Sequence, residues 1–99
     1  MMLGDKVTAE DAEAMGMIYK VVNDEMFDEE IAKTCKKLAN MPTLGLGLTK
    51  RALHQSFKND IHEQLALEDK LQSIAGHSDD YGEGVRAFVE KRKPIFKGH

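Results

Sequence analysis

The segment that decides the fold spans residues 78–94 and reads SDDYGEGVRAFVEKRKP. Ser78 is a typical helix N-cap, and the two aspartates after it lie at the positive end of the helix dipole. Apolar side chains then recur at helical spacing, at Tyr81, Val85, Phe88 and Val89. Because Pro94 cannot continue a helix, the segment predicts one helix followed by a short basic tail.

The rest of the chain predicts four more helices. Thr8 and Asp60 are each followed three residues later by an acid, the spacing of a capping box. Thr43 directly follows a proline that stops the preceding helix, so it is placed to cap the next one. The helix before that proline has an apolar stripe made of Phe27, Ile31, Cys35 and Leu38.

Residues 18–22 do not fit a helix. They read IYKVV, a run rich in β-branched and aromatic side chains and too short for a helix, which favours one short strand or extended segment. A single strand leaves its backbone groups without a partner. We therefore predict a mostly α protein with at most one short strand.

The charge of the chain is unevenly distributed. The 99 residues carry a net charge of −3, which argues against a generally basic nucleic-acid binder. Residues 1–35 contain nine acids and three lysines, whereas residues 91–99 contain four cations and no acid. Such an asymmetry can mark the binding place of an anionic partner, although solvated surface lysines would give the same pattern.

Cysteine and histidine usage argues against several kinds of site. Cys35 is the only cysteine, so an internal disulfide is excluded, and its place on an apolar stripe predicts a buried structural thiol. No two histidines have ligand-pair spacing and no Gly-x-Ser-x-Gly elbow occurs, so we predict no metal site and no catalytic residue. The sequence has no apolar run of about 18 residues and no secretory-signal layout, which predicts a soluble cytoplasmic protein.

Phe88 and Lys91 are the candidate binding residues. Lys91 follows Phe88 by three positions, which on a helix would place the two side chains on nearly the same face. An aromatic face can stack on a purine and a lysine ammonium can bind phosphate, so the pair suits a nucleotide-like ligand. The alternative is that Phe88 lies in the core and the lysines are solvated.

Three stretches resemble the enoyl-CoA hydratase/isomerase (crotonase) family. LGDKVTAEDA at residues 3–12, with Gly16 and Ile18 after it, is similar to a segment of these enzymes. MPTLGLGLTKRAL at residues 41–53 resembles the homologues of phenylacetate degradation. EGVRAFVEKRKPIF at residues 83–96 resembles the usual ending of the family, and the three stretches occur in the family's order.

The resemblance implies the C-terminal part of a CoA-thioester hydratase or isomerase. Residues 1–22 would end the crotonase core, and residues 23–99 would be a helical region at the CoA edge that also makes trimer or hexamer contacts. Phe88 would lie beside the adenine pocket and Lys91 near the CoA phosphate. Coenzyme A would be part of an acyl-CoA substrate, and no separate cofactor is implied.

The family's catalytic acids and oxyanion-hole amides match no position of this chain. The resemblance therefore implies that the chain alone is inactive, and that hydration and isomerisation are decided by residues upstream. The pathway would be phenylacetate degradation or fatty-acid oxidation. Two alternatives stay open: a free-standing, non-catalytic helical interaction module, and a weak nucleic-acid binder that uses the basic tail.

Overall fold

The computed structural model describes Gly4 and residues 6–99. The described chain is helical, with α1 at Ala9–Ala14, a 3₁₀ turn at Asp24–Met26, α2 at Phe27–Ala39, α3 at Thr43–Ser56, α4 at Ile61–Gly76 and α5 at Asp79–Val89. The chain divides into two compact units, of which the first ends at Thr34 and the second is Cys35–His99. The functional division at residues 22 and 23 stays a prediction.

The first unit contains α1 and the beginning of α2. The Thr8 hydroxyl accepts a hydrogen bond from the backbone N–H of Asp11 at 3.1 Å and donates to its carboxylate at 2.8 Å. Gly16 follows the helix with a φ of +74°, a conformation that glycine adopts without steric cost. The predicted short helix and its cap are therefore confirmed, whereas Leu3 and Asp5 of the same motif lie outside the described residues.

Residues 18–22 form no strand, and neither does any other segment of the described chain. A side chain satisfies one backbone group here, since the Val21 N–H donates to the Glu13 carboxylate at 3.0 Å. The ammonium of Lys20 pairs with Glu30 at 2.9 Å. The β-rich composition of the segment thus gives a loop that bends at residues 18 and 19, because the described chain has no second strand to pair with it.

The second unit is built on α3, α4 and α5. Helices α3 and α4 pack against each other, and α4 also contacts α5. Gln64 links the first pair, because its amide group donates to the Ala52 carbonyl at 3.3 Å and accepts from the Asn59 side chain at 3.1 Å. The α3–α4 turn is therefore held by side chains as well as by helix packing.

Local sequence signals correctly predict where two of the three helices in this unit begin. Asp60 and Glu63 form the full capping box at α4, and the Ser78 hydroxyl accepts from the Tyr81 N–H at α5. The prediction for Thr43 is wrong: Pro42 occupies the N-cap position of α3, and Thr43 is already the first helical residue. Proline is compatible with this position because its fixed φ suits an entry into a helix.

Few side chains are buried. Within the described residues, the buried apolar side chains are Leu71 and Ala87, and the buried charged one is Asp80. Large apolar side chains on the helix stripes are instead at least 40% exposed, among them Phe27, Ile31, Leu53, Phe57, Ile61, Leu65, Val85 and Phe88. Cys35 is also exposed, so the prediction of a buried thiol is wrong. The apolar stripes were identified correctly from the sequence, but no other part of the described chain covers them.

Candidate functional site

Phe88 is on the surface of α5, beside an apolar groove. Its side chain is 85% exposed, so the alternative that placed it in the core is wrong. The groove has a volume of about 400 Å³ and its wall includes Pro42, Ala75, Tyr81, Val85, Phe88 and Phe96. An exposed aromatic ring at the edge of an apolar groove can stack on a flat ligand such as a purine.

Lys91 lies beyond the end of α5. The helix ends at Val89, so the prediction that helical spacing places Lys91 on the face of Phe88 is wrong. Lys91 is exposed, has a φ of +54° and is not one of the residues that line the groove. The structure thus brings Phe88 to the groove and leaves Lys91 on the turn that follows it.

Two backbone hydrogen bonds define this turn. The Arg92 N–H donates to the Ala87 carbonyl at 3.0 Å, and the Lys91 N–H donates to the Phe88 carbonyl at 3.3 Å. This is the pattern of a Schellman motif, in which the left-handed residue after the helix is usually glycine. Here that residue is Lys91, and it is the one non-glycine residue with a positive φ among those that the structure describes.

Glu83 anchors the beginning of the tail. Its carboxylate accepts two hydrogen bonds from the Arg92 guanidinium, one to each oxygen, and a third from the Ile95 N–H at 2.9 Å. Paired guanidinium–carboxylate bonds are among the strongest side-chain interactions. The bonds from Arg92, followed by the one from Ile95, lower the pKa of Glu83 to about 2.

Asp80 anchors the end of the tail. Its side chain is buried, and its two carboxylate oxygens accept from the Lys97 N–H at 2.6 Å and the Gly98 N–H at 2.8 Å. Its own N–H, a donor in the first turn of α5, donates to the His99 carbonyl at 3.0 Å. We call Asp80, Glu83, Arg92 and their tail partners the tail clasp. The sequence pattern predicted only that Asp80 lies at the positive end of the helix dipole, and it gave Glu83 no role.

The clasp changes how the basic tail is understood. Arg92 pairs with Glu83 and Glu90, whereas Lys91, Lys93 and Lys97 form no ion pair with any residue that the structure describes. One of the four tail cations is therefore structural, and the three lysines carry the remaining positive charge. Among the described residues there is no cluster of metal-binding side chains and no helix long and apolar enough to cross a membrane.

The sequence profile of the family described as enoyl-CoA hydratase/isomerase matches residues 1–99. The chain belongs to this family. It is 44% identical over 97 residues to the 1,2-epoxyphenylacetyl-CoA isomerase of Escherichia coli, a match that covers 98% of the chain and 37% of that protein. It is 33% identical to the 2,3-dehydroadipyl-CoA hydratase of the same organism, over 96% of the chain and 37% of that protein.

Solved structures of the enoyl-CoA hydratase family contain a matching helical segment. An enoyl-CoA hydratase from Geobacillus kaustophilus superimposes with a TM-score of 0.89 and 35% identity, over 98% of the chain and 38% of that protein. The enzyme from Bacillus anthracis gives a TM-score of 0.81 and 30% identity, over 92% and 35%. The chain thus spans a little over a third of the length of these relatives. The family resemblance and the mostly α fold class, as a helical segment of the crotonase-like fold, are confirmed.

Proposed function

We propose that this chain is the C-terminal helical region of an enoyl-CoA hydratase/isomerase acting on acyl-CoA thioesters. The observation that carries the proposal is the family match over residues 1–99, which spans about 37% of the curated relatives. The exposed apolar stripes support it, because isolated soluble domains rarely leave so many large apolar side chains in water. Apart from Phe88, the stripes would be covered by the rest of the enzyme and by other subunits of a cytoplasmic trimer or hexamer.

The proposed contribution of this chain is the nucleotide end of the CoA site. Phe88 would stack beside the adenine, and Lys91 would pair with a CoA phosphate. The exposure of both side chains and the apolar groove under Phe88 support this assignment. CoA enters as part of the substrate, without a separate cofactor. The similarity to the Escherichia coli isomerase favours phenylacetate degradation over fatty-acid oxidation as the pathway.

Kinetics of Lys91→Ala and Phe88→Ala test the assignment in the full-length enzyme. The adenine end is far from the reacting carbon, so each change should raise KM for a CoA ester and leave kcat nearly unchanged. A truncated pantetheine ester, which lacks the nucleotide, should be processed as well by the variants as by the native enzyme. Lys93→Ala, another exposed tail lysine, is the matched control.

Equal losses with the CoA ester and the pantetheine ester would contradict the assignment. A free-standing helical interaction module is the second candidate, favoured by the exposed stripes alone. Copurification distinguishes the two, because a module would associate with an unrelated protein. The C-terminal region of an enzyme should instead belong to the same polypeptide as the catalytic residues or assemble with the chain that carries them.

A further inference from the structure

The conformation of Lys91 is the starting observation. Its φ of +54° lies in the left-handed region, which disfavours any residue with a Cβ. The position after a helix is one where glycine would form the same turn without that strain. Strained residues persist where the surrounding structure holds them, and such positions concentrate at ligand sites.

The tail clasp supplies the restraint. Arg92, the next residue, is fixed by its two hydrogen bonds to Glu83, whose side chain is only 14% exposed. Arg92 also donates to Glu90, the residue just before Lys91. The side chains of the residues on both sides of Lys91 are therefore linked, through the Arg92 guanidinium, to a helical residue two turns earlier in α5.

We propose that Glu83 and Arg92 are positioning residues, whose ion pair holds Lys91 in its left-handed turn and so presents its ammonium group to the anionic nucleotide of CoA. The inference rests on the proposed function, because it needs Lys91 to contact CoA. A lysine side chain loses rotamer freedom when it binds an anion. Fixing its backbone beforehand reduces the number of arrangements that binding must exclude.

Positioning and simple electrostatics make opposite predictions for Glu83→Gln. The substitution removes a negative charge near a cationic tail, so electrostatics alone would tighten the binding of an anion. Loss of positioning would weaken it. Asp79→Asn removes the same charge from α5, at a side chain that is 81% exposed and whose carboxylate lies 3.8 Å from the His99 Nε2. This variant is the matched control.

The experiment is a double-mutant cycle in the full-length polypeptide, with free coenzyme A as the probe and calorimetry as the assay. Lys91→Ala and Glu83→Gln should each raise the Kd by about two- to fivefold, the range of a single exposed ion pair. In the Lys91→Ala background, Glu83→Gln should have no further effect. Asp79→Asn should leave the Kd unchanged or lower it.

Each other outcome overturns the proposal. An equal effect of Glu83→Gln with and without Lys91 would mean a structural role only, and tighter binding would mean that electrostatics dominates. Should Glu83→Gln not fold, Arg92→Lys gives the same test, since it keeps the charge and loses the paired hydrogen bonds. If Lys91→Ala itself leaves the Kd unchanged, the nucleotide contact in the proposed function is wrong as well.

Discussion

The substitution Asp80→Asn should loosen the end of the chain. Asp80 is only 3% exposed, and each of its carboxylate oxygens accepts one backbone hydrogen bond, from the N–H groups of Lys97 and Gly98. Asparagine has nearly the same shape but replaces one of these oxygens with an NH₂ group. That group is a donor, so one of the two tail amides would face a donor and lose its partner.

The size of the effect follows from the bond that is lost. A hydrogen bond to a charged group contributes about 1.5–3 kcal/mol, and leaving a buried donor unsatisfied costs a similar amount. The tail can partly relax into water, so we expect a loss near the lower end, about 2 kcal/mol. Since every 1.4 kcal/mol is a factor of ten, local opening of the tail should become roughly 30 times more frequent.

Hydrogen–deuterium exchange measures this opening directly. The amides of Lys97 and Gly98 should exchange roughly 30 times faster in Asp80→Asn, while amides in the middle of α4 keep their native rates. Asp79→Asn is the matched control, because Asp79 is the adjacent residue and is highly exposed. Unchanged protection of the two tail amides in Asp80→Asn would refute the clasp as the structure describes it.

Three further predictions concern the activity of the isolated chain, the pH dependence of its stability and the strained turn at Lys91. The purified 99-residue chain should neither hydrate crotonyl-CoA nor isomerise an unsaturated CoA ester, and turnover that is lost on mutating a residue of this chain would contradict that. Because the pKa of Glu83 is depressed to about 2 from an ordinary 4.5, its stabilising effect should be complete above pH 4.5 and be lost as the pH falls through about 2. The difference in melting temperature between the native protein and Glu83→Gln should therefore shrink as the pH falls through that window. A difference that does not depend on pH would argue against the ion pair. Lys91→Gly should stabilise the protein by about 1 kcal/mol, because glycine relieves the left-handed strain, and should weaken CoA binding. Lys91→Ala should weaken CoA binding without the gain in stability. Melting curves and CoA titrations of both variants test this, and a Lys91→Gly protein that is no more stable than Lys91→Ala would contradict it.

Local signals in the sequence predicted the helices well. The caps at Thr8, Asp60 and Ser78 depend on side chains that contact backbone groups two or three residues away, so spacing alone was sufficient to find them. The error at Thr43 is of the same local kind: the N-cap lies one residue earlier, at Pro42, and Thr43 is the first helical residue.

Burial and the tail could not be predicted in the same way. Asp80 contacts residues 17 and 18 positions away, in a segment without helical or strand periodicity, so no local pattern links them. The stripe that includes Phe88 was found from its spacing, yet spacing does not say whether a surface exists to cover it. The position of Lys91 was missed because the helix ends two residues earlier than Lys91.

The hydrogen bonds to Asp80 have a practical consequence for handling the gene. Terminal residues of most domains can be trimmed or replaced without harm. In this protein Lys97, Gly98 and His99 supply every tail partner of Asp80 that the structure describes. A truncation before Lys97 would leave the Asp80 carboxylate without its donors at the start of α5. Shortened or fused forms of the protein should therefore keep residues 97–99.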